Sequence, residues 1–219
     1  IGSLRGELKG TISLGVIPTA SPIVSFLTST VSKIYPDISF KVFSQSSDEI
    51  YEMLDNFTLD IGITYIENEK FKKLKKIYLY TENYIFLTKQ SDYLKNKNKI
   101  TWKEASSYGL CLLNSEMQNR KIINDAFLSI NSTPNASIET NSVVTLYSHA
   151  LTGIWSTILP SNFLYIFGEP KNMLSLPLVE PKKDLKVGMV IKNNELKSPL
   201  VNGFINAVNS INLDTIFKN

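Results

Sequence analysis

The sequence predicts an α/β protein of two similar lobes, each a mainly parallel sheet with helices packed on it. Three observations predict this. Strand-like alternation and helix-like spacing follow one another from residue 10 to residue 65 as strand, helix, strand, helix, strand, the βαβαβ order of a parallel sheet. A second series of the same kind begins near residue 110. The chain has 219 residues, 43% of them hydrophobic, enough for one large core or two smaller ones.

The elements are justified in order. Ile12, Leu14 and Val16 alternate with Thr11, Ser13 and Gly15, which reads as a strand. The turn Pro18-Thr19-Ala20-Ser21-Pro22 follows it, with Ser21 expected as an N-cap and Pro22 at the first helical position. Ile23, Leu27, Val31 and Ile34 then line one helical face, which Tyr35-Pro36-Asp37 stops. Ile38, Phe40 and Val42 form a second strand. Ser46-Ser47-Asp48-Glu49 signals a helix start, a capping hydroxyl followed by acids that favour the positive end of the dipole. Ile50, Leu54 and Phe57 are that helix's expected buried face. Residues 59–65 are largely apolar, as a strand covered on both faces should be.

Strand-like segments follow at 74–80 and 84–88, then a polar loop at 90–99. The second series has a strand at 110–113 and a helix at 118–130 carrying Ile122, Ile123, Ala126, Phe127 and Ile130. A strand at 136–139 follows, and Thr140-Asn141-Ser142 caps a helix holding Val143, Val144, Tyr147 and Leu151. Gly153 is expected to end that helix in the left-handed conformation. A strand at 155–159 stops at Pro160, a late strand covers 185–192, and Ser198-Pro199 opens a last amphipathic helix with Leu200, Phe204, Ile205 and Val208.

Composition excludes several function classes. Net charge is +3, from 23 basic and 20 acidic residues, too mild for nucleic-acid binding by this segment itself. Lysines cluster at 70–76, 95–99 and 182–186, which reads as solvated loops and strand ends, or as a phosphate-contacting patch short of arginine partners. The single cysteine, Cys111, permits no internal disulfide, and a reducing cytoplasm is the simplest location. No apolar run approaches the roughly 18 residues of a membrane span, and the first residues lack a signal-peptide layout. His149 is the only histidine, so neither a nucleophilic triad nor a zinc cluster can be assembled, and no phosphate-binding loop appears. No catalytic residue, metal or cofactor is expected.

Ligands of parallel sheets sit outside the carboxyl ends of the strands. Here those ends are rich in hydroxyls and amides: 18–21, Ser46 and Ser47, and Thr64 and Tyr65 in the first lobe. In the second lobe Asn114 and Ser115 follow one strand, and Thr140 and Asn141 follow another. Ser46 and Ser47 could equally serve only their helix, and Tyr65 could be packed aromatic surface. Arg120 stands at a helix start, unfavourable for a cation, which hints at an anion partner; the plainer reading is a solvated surface arginine. His149 reads as a core or interface residue and Cys111 as a buried strand residue.

The order and spacing of several short motifs resemble the effector-binding domain of LysR-type transcriptional regulators. Leu4-Arg5-Gly6-Glu7-Leu8-Lys9-Gly10 is similar to the family's junction with a linker helix, and residues 12–22 to its first sensor loop. Tyr35-Pro36-Asp37 is similar to its FPD stretch and Leu59-Asp60-Ile61-Gly62-Ile63 to its LDLAI-like strand. The run Leu151-Thr152-Gly153-Ile154-Trp155-Ser156-Thr157-Ile158-Leu159-Pro160 resembles the V-x-x-G-x-G-I-x-x-L-P turn, with Trp155 in place of the second glycine. The resemblance implies a fold like type-2 periplasmic binding proteins: two Rossmann-like lobes joined by two crossover strands, with a small polar or anionic effector in the cleft between them. It places the end of a linker at 1–9, lobe I at 10–82 with 193–219, and lobe II at 83–192. By position it makes Thr19, Ala20 and Ser21 ligand contacts, and it puts the Trp155 ring against the core or the cleft wall.

The same resemblance implies control of DNA binding by a helix-turn-helix outside this chain, and self-association as a homodimer or tetramer. The pairing surfaces it nominates are residues 22–35 against 119–130 or 143–151, with Ile23, Phe26 and Thr30 exposed. A solute-binding protein of a transporter shares the fold and is the alternative; a lyase on the same fold lacks a supporting constellation.

Overall fold

The computed structural model describes residues 8–193 and 198–217. Residues 1–7 of the expected linker junction, and 194–197 within the expected lobe boundary, lie outside that description. The chain divides into two compact units, residues 1–81 with 186–219 and residues 82–185.

The first unit holds a five-stranded sheet. Its strands are β1 (Gly10–Val16), β2 (Ile38–Ser44), β3 (Ile61–Tyr65), β4 (Lys75–Glu82) and β11 (Leu185–Ile191), in the order β2-β1-β3-β11-β4. β1 pairs in parallel with β2 and β3, and β11 runs antiparallel to β3. The strand expected to close lobe II therefore belongs to the first sheet. Val187, Met189 and Val190 are fully buried there opposite Tyr65, Ile63 and Gly62. The reason is hydrophobic: both faces of this sheet are covered, so an apolar strand is stable inside it.

Helices α1 (Val24–Ile34), α2 (Ser47–Asp55) and α7 (Pro199–Val208) complete this unit, with a short α8 (Leu213–Phe217) that has no periodic signal in the sequence. Ser46 and Glu49 cap α2 reciprocally, and Ser198 caps α7, as the cap signals predict. Phe57 does not continue the buried face of α2. It lies past the helix at φ 60°, more than half exposed, with the Lys192 ammonium 4.1 Å from its ring centroid.

The start of α1 departs from expectation. Residues Pro18–Ile23 form a 3-10 helix with Ile17 at its N-cap position, and α1 begins only at Val24. Ser21 is thus inside a helical turn, and its hydroxyl donates to Ile17 O at 3.5 Å instead of capping. Pro18, not Pro22, holds the first helical position, where its fixed φ and missing N–H cost nothing. Ile23 is fully buried and so unavailable to a partner surface.

The second unit holds a six-stranded sheet: β5 (Tyr84–Lys89), β6 (Ile100–Thr101), β7 (Leu110–Leu113), β8 (Ala136–Thr140), β9 (Ser156–Pro160) and β10 (Met173–Val179), ordered β6-β10-β5-β9-β7-β8. Its helices are α3 (Trp102–Ala105), α4 (Gln118–Leu128), α5 (Val143–Leu151) and α6 (Asn162–Phe167). β7 pairs in parallel with β8 and β9, while β5 runs antiparallel to β9 and β10. The strands alternate their side chains between two core layers. Phe86, Leu110 and Leu112 pack with Trp102 and Phe127 on one face; Ile85, Leu87, Cys111 and Leu113 pack with Leu146 and Phe163 on the other. Gly153 follows α5 at φ 72°, the expected left-handed stop. β6, α3, α6 and β10 went unread in the sequence, because two- to six-residue elements carry no full period and β10 is interrupted by Pro177.

Candidate functional site

In the first unit the register brings three strand ends level. Val16 lies opposite Ser44 on β2 and Ile63 on β3. Backbone bonds carry the alignment one step further, from Gln45 N–H to Val16 O at 2.9 Å and from Ile17 N–H to Ile63 O at 3.1 Å. The residues leaving these ends, Thr19, Ser46, Ser47, Thr64 and Tyr65, are all buried.

Four of them pair through hydroxyls. Thr19 Oγ1 lies 3.2 Å from the Tyr65 hydroxyl, and Ser47 Oγ lies 2.9 Å from Thr64 Oγ1. Each hydroxyl has one proton and two lone pairs, so one bond to a neighbouring hydroxyl does not by itself exhaust it. Ser46 is different: its oxygen accepts from Glu49 N–H at 3.2 Å, and its own N–H donates to Glu49 Oε2 at 2.7 Å. The capping box occupies it. Ala20 is fully buried and offers only backbone.

The second unit repeats the arrangement more openly. Leu113 on β7 lies opposite Thr140 on β8, and Asn114 N–H donates to Thr140 O at 2.8 Å. The Asn114 amide donates to Glu116 at 3.1 Å, and Thr140 Oγ1 accepts from Ser142 N–H at 3.2 Å. Ser115 and Asn141 are exposed. Ser142 caps α5, whereas Met117, the residue before α4, provides no side-chain cap.

Arg120 is neither solvated nor free. It is 6% exposed, and its guanidinium donates to Leu113 O at 2.8 Å, to Asn124 Oδ1 at 2.9 Å and to Glu139 Oε1 at 3.1 Å. Glu139 and two oxygen acceptors offset the unfavourable placement at a helix start, which removes the hint of an anion partner. A cavity of about 360 Å³ opens beside it along Asn124, Asp125 and Leu128.

Trp155 is half-buried against the core layer of Leu146 and Phe163, edge-on to His149 with ring centroids 5.6 Å apart. His149 Nδ1 lies 2.8 Å from Thr145 O, a helix-internal contact. Cys111 is fully buried, and burial pushes its thiol up to about 11, so it offers no reactive thiolate at neutral pH. Among the described residues no three His, Cys, Asp or Glu gather to hold a metal ion.

Two further strand-end groups were missed. Asn162 follows β9, whose end reaches the same sheet edge as those of β7 and β8, and Asn83 precedes its partner strand β5. Applying the strand-end rule to Pro160 would have found Asn162. Asn83 has no local signal, because only the antiparallel pairing of β5 brings it to that edge.

A family model described as LysR substrate binding domain matches residues 5–210. No curated protein matches the chain. Among solved structures, the effector-binding domain of QuiR in complex with shikimate is similar at 22% identity, with a TM-score of 0.76 over 92% of this chain and 96% of that one. The cofactor-binding domain of the Cbl transcriptional regulator aligns with a TM-score of 0.81 at 15% identity, over 94% and 91%. The reduced OxyR regulatory domain from Pseudomonas aeruginosa aligns at 0.77 and 16%, over 93% and 98%. At these identities the structural likeness speaks for the fold.

Proposed function

The chain belongs to the LysR substrate binding domain family, and from that premise we propose where and how it holds its effector. It is the effector-sensing domain of a LysR-type regulator; the family sets it apart from the transporter alternative. The effector is a small polar or anionic molecule. In the first unit it meets Thr19, Ser47, Thr64 and Tyr65, with Ala20 and Ser21 contributing main chain and Ser46 holding the turn. The second unit offers a polar set of its own at its strand ends, Asn114, Ser115, Thr140 and Asn141. Arg120 positions the end of β7 and does not contact the ligand.

The observation that carries this reading is the pair of buried hydroxyl couples, Thr19–Tyr65 and Ser47–Thr64, at the carboxyl ends of parallel strands. This edge is where such sheets bind ligands, and a hydroxyl that bonds its neighbour still has protons or lone pairs to offer. Thr19→Val and Thr64→Val remove one hydroxyl each at nearly constant volume. Ligands that stabilise the wild type are found by thermal shift with sulfate, shikimate and other small carboxylates. Each substitution is expected to weaken their binding about tenfold, the worth of one hydrogen bond to a charged group. Undiminished stabilisation of both variants would refute the assigned residues.

In the full regulator this sensor acts on a helix-turn-helix domain that binds DNA in the cytoplasm, and the chain pairs with a copy of itself. The outward face of α5 supports pairing, with Val144 60% and Leu151 47% exposed and Ile154 beyond them 71% exposed. Sedimentation over rising concentration tests it, and a monomer throughout would count against self-association.

A further inference from the structure

Asn83 and Asn162 form a corner of the second unit that the effector contacts named so far leave out. Tyr84 on β5 lies opposite Pro160 on β9, and Ser161 N–H donates to Asn83 O at 2.8 Å, extending the ladder by one step. Asn83 shares the sheet face of Ile85 and Leu87, two and four residues on, which pack with Phe163 of α6. Asn162 opens α6 just past the end of β9, at the sheet edge where the β7 and β8 strand ends carry Asn114 and Thr140.

Asn162 is 6% exposed, and its Nδ2 is buried without a hydrogen-bond partner. Asn83 Oδ1 is buried without one as well. The first atom can only donate and the second can only accept. A carboxylate or sulfate oxygen could satisfy Asn162 but has no proton for Asn83. A hydroxyl carries both functions, a proton that suits Asn83 Oδ1 and lone pairs that suit Asn162 Nδ2.

We propose that Asn83 and Asn162 determine specificity by reading a hydroxyl group of the effector, which places that effector among hydroxylated acids rather than bare ones. This rests on the effector site proposed above. Idle polar groups also weaken the unliganded fold, so an apolar residue of similar size should relieve it.

The test compares quinate with cyclohexanecarboxylate, which share a ring and a carboxylate and differ in hydroxyls. Calorimetry on the wild type should show quinate bound at least about tenfold tighter. Asn162→Leu, and independently Asn83→Leu, should bring that ratio close to one. Unliganded Asn162→Leu should melt about 2–4 °C higher than wild type. Equal affinity for the two acids, lost in Thr140→Val, overturns the hydroxyl reading and leaves the second unit's effector site standing. Binding of either acid that survives Thr140→Val overturns the second unit's site itself. No binding of quinate overturns the hydroxy-acid class. A lower melting point in Asn162→Leu shows that Asn162 is already paired in the unliganded protein, by side chain or buried water, and overturns its role.

Discussion

Gly188→Ala is expected to destabilise the first unit by about 3 kcal/mol or more, the upper range for overpacking one methyl into a closed interior. A Cβ at Gly188 would lie 2.3 Å from Ile77 O and 2.8 Å from Ile66 Cγ2. The isoleucine methyl can rotate away. The carbonyl cannot, because it belongs to the backbone of β4, the strand beside β11. One strand must therefore move. Gly188 also lies directly opposite Thr64, whose hydroxyl meets Ser47, so the displacement reaches that buried hydroxyl couple. Thermal unfolding should show a fall of roughly 6–12 °C, at about 2–4 °C per kcal/mol for a chain of this size. A melting point within about 1 °C of wild type would show that the strands accommodate the methyl, contrary to this account.

Trp102→Ala should cost about 3–5 kcal/mol in the second unit, the usual penalty for emptying a large aromatic site. Trp102 is fully buried in the four-residue helix α3. Its ring lies edge-on to Phe127 with centroids 5.2 Å apart and to Tyr84 at 6.2 Å. Its Nε1–H donates to Pro181 O at 2.8 Å, tying the segment before β11 to the core. Trp102→Phe keeps most of the volume and loses the donor, so it should cost clearly less than alanine. Denaturant unfolding followed by hydrogen exchange would check both, with protection falling first at Phe86 and Leu112, which share this core layer. Equal losses in the two variants would mean that the hydrogen bond, not the packing, dominates.

Neither position stands out in the sequence. Gly188 is one of ten glycines inside a strand pattern, and Trp102 follows only two strand residues. Their importance comes from residues about 80 to 110 positions away, Ile77 for one and Pro181 for the other. The hydroxyl couples show the same division. That Thr19, Ser47, Thr64 and Tyr65 stand at strand ends is legible from alternation and turn residues. That Thr19 meets Tyr65 and Ser47 meets Thr64 follows only from the parallel register of β1 with β2 and β3.

Arg120 and Ser21 mark where local reasoning failed. The dipole and capping preferences of a nearby helix start predict neither outcome. Arg120 instead answers to Leu113 and Glu139, across a β-strand pair. Ser21 lost its cap when Pro18, already preset for helical φ, started the turn three residues earlier.

By itself the sequence determined the βαβ order, most helix boundaries and the family, because caps, turn residues and hydrophobic periods act over a few neighbouring positions. The tertiary structure alone decided that β11 returns to the first sheet, that Arg120 is paired within its own unit, and that the segments of Asn83 and Asn162 meet at one sheet edge. Those outcomes depend on which distant strands pair, and pairing is set by the burial of whole faces, which no short stretch of sequence contains.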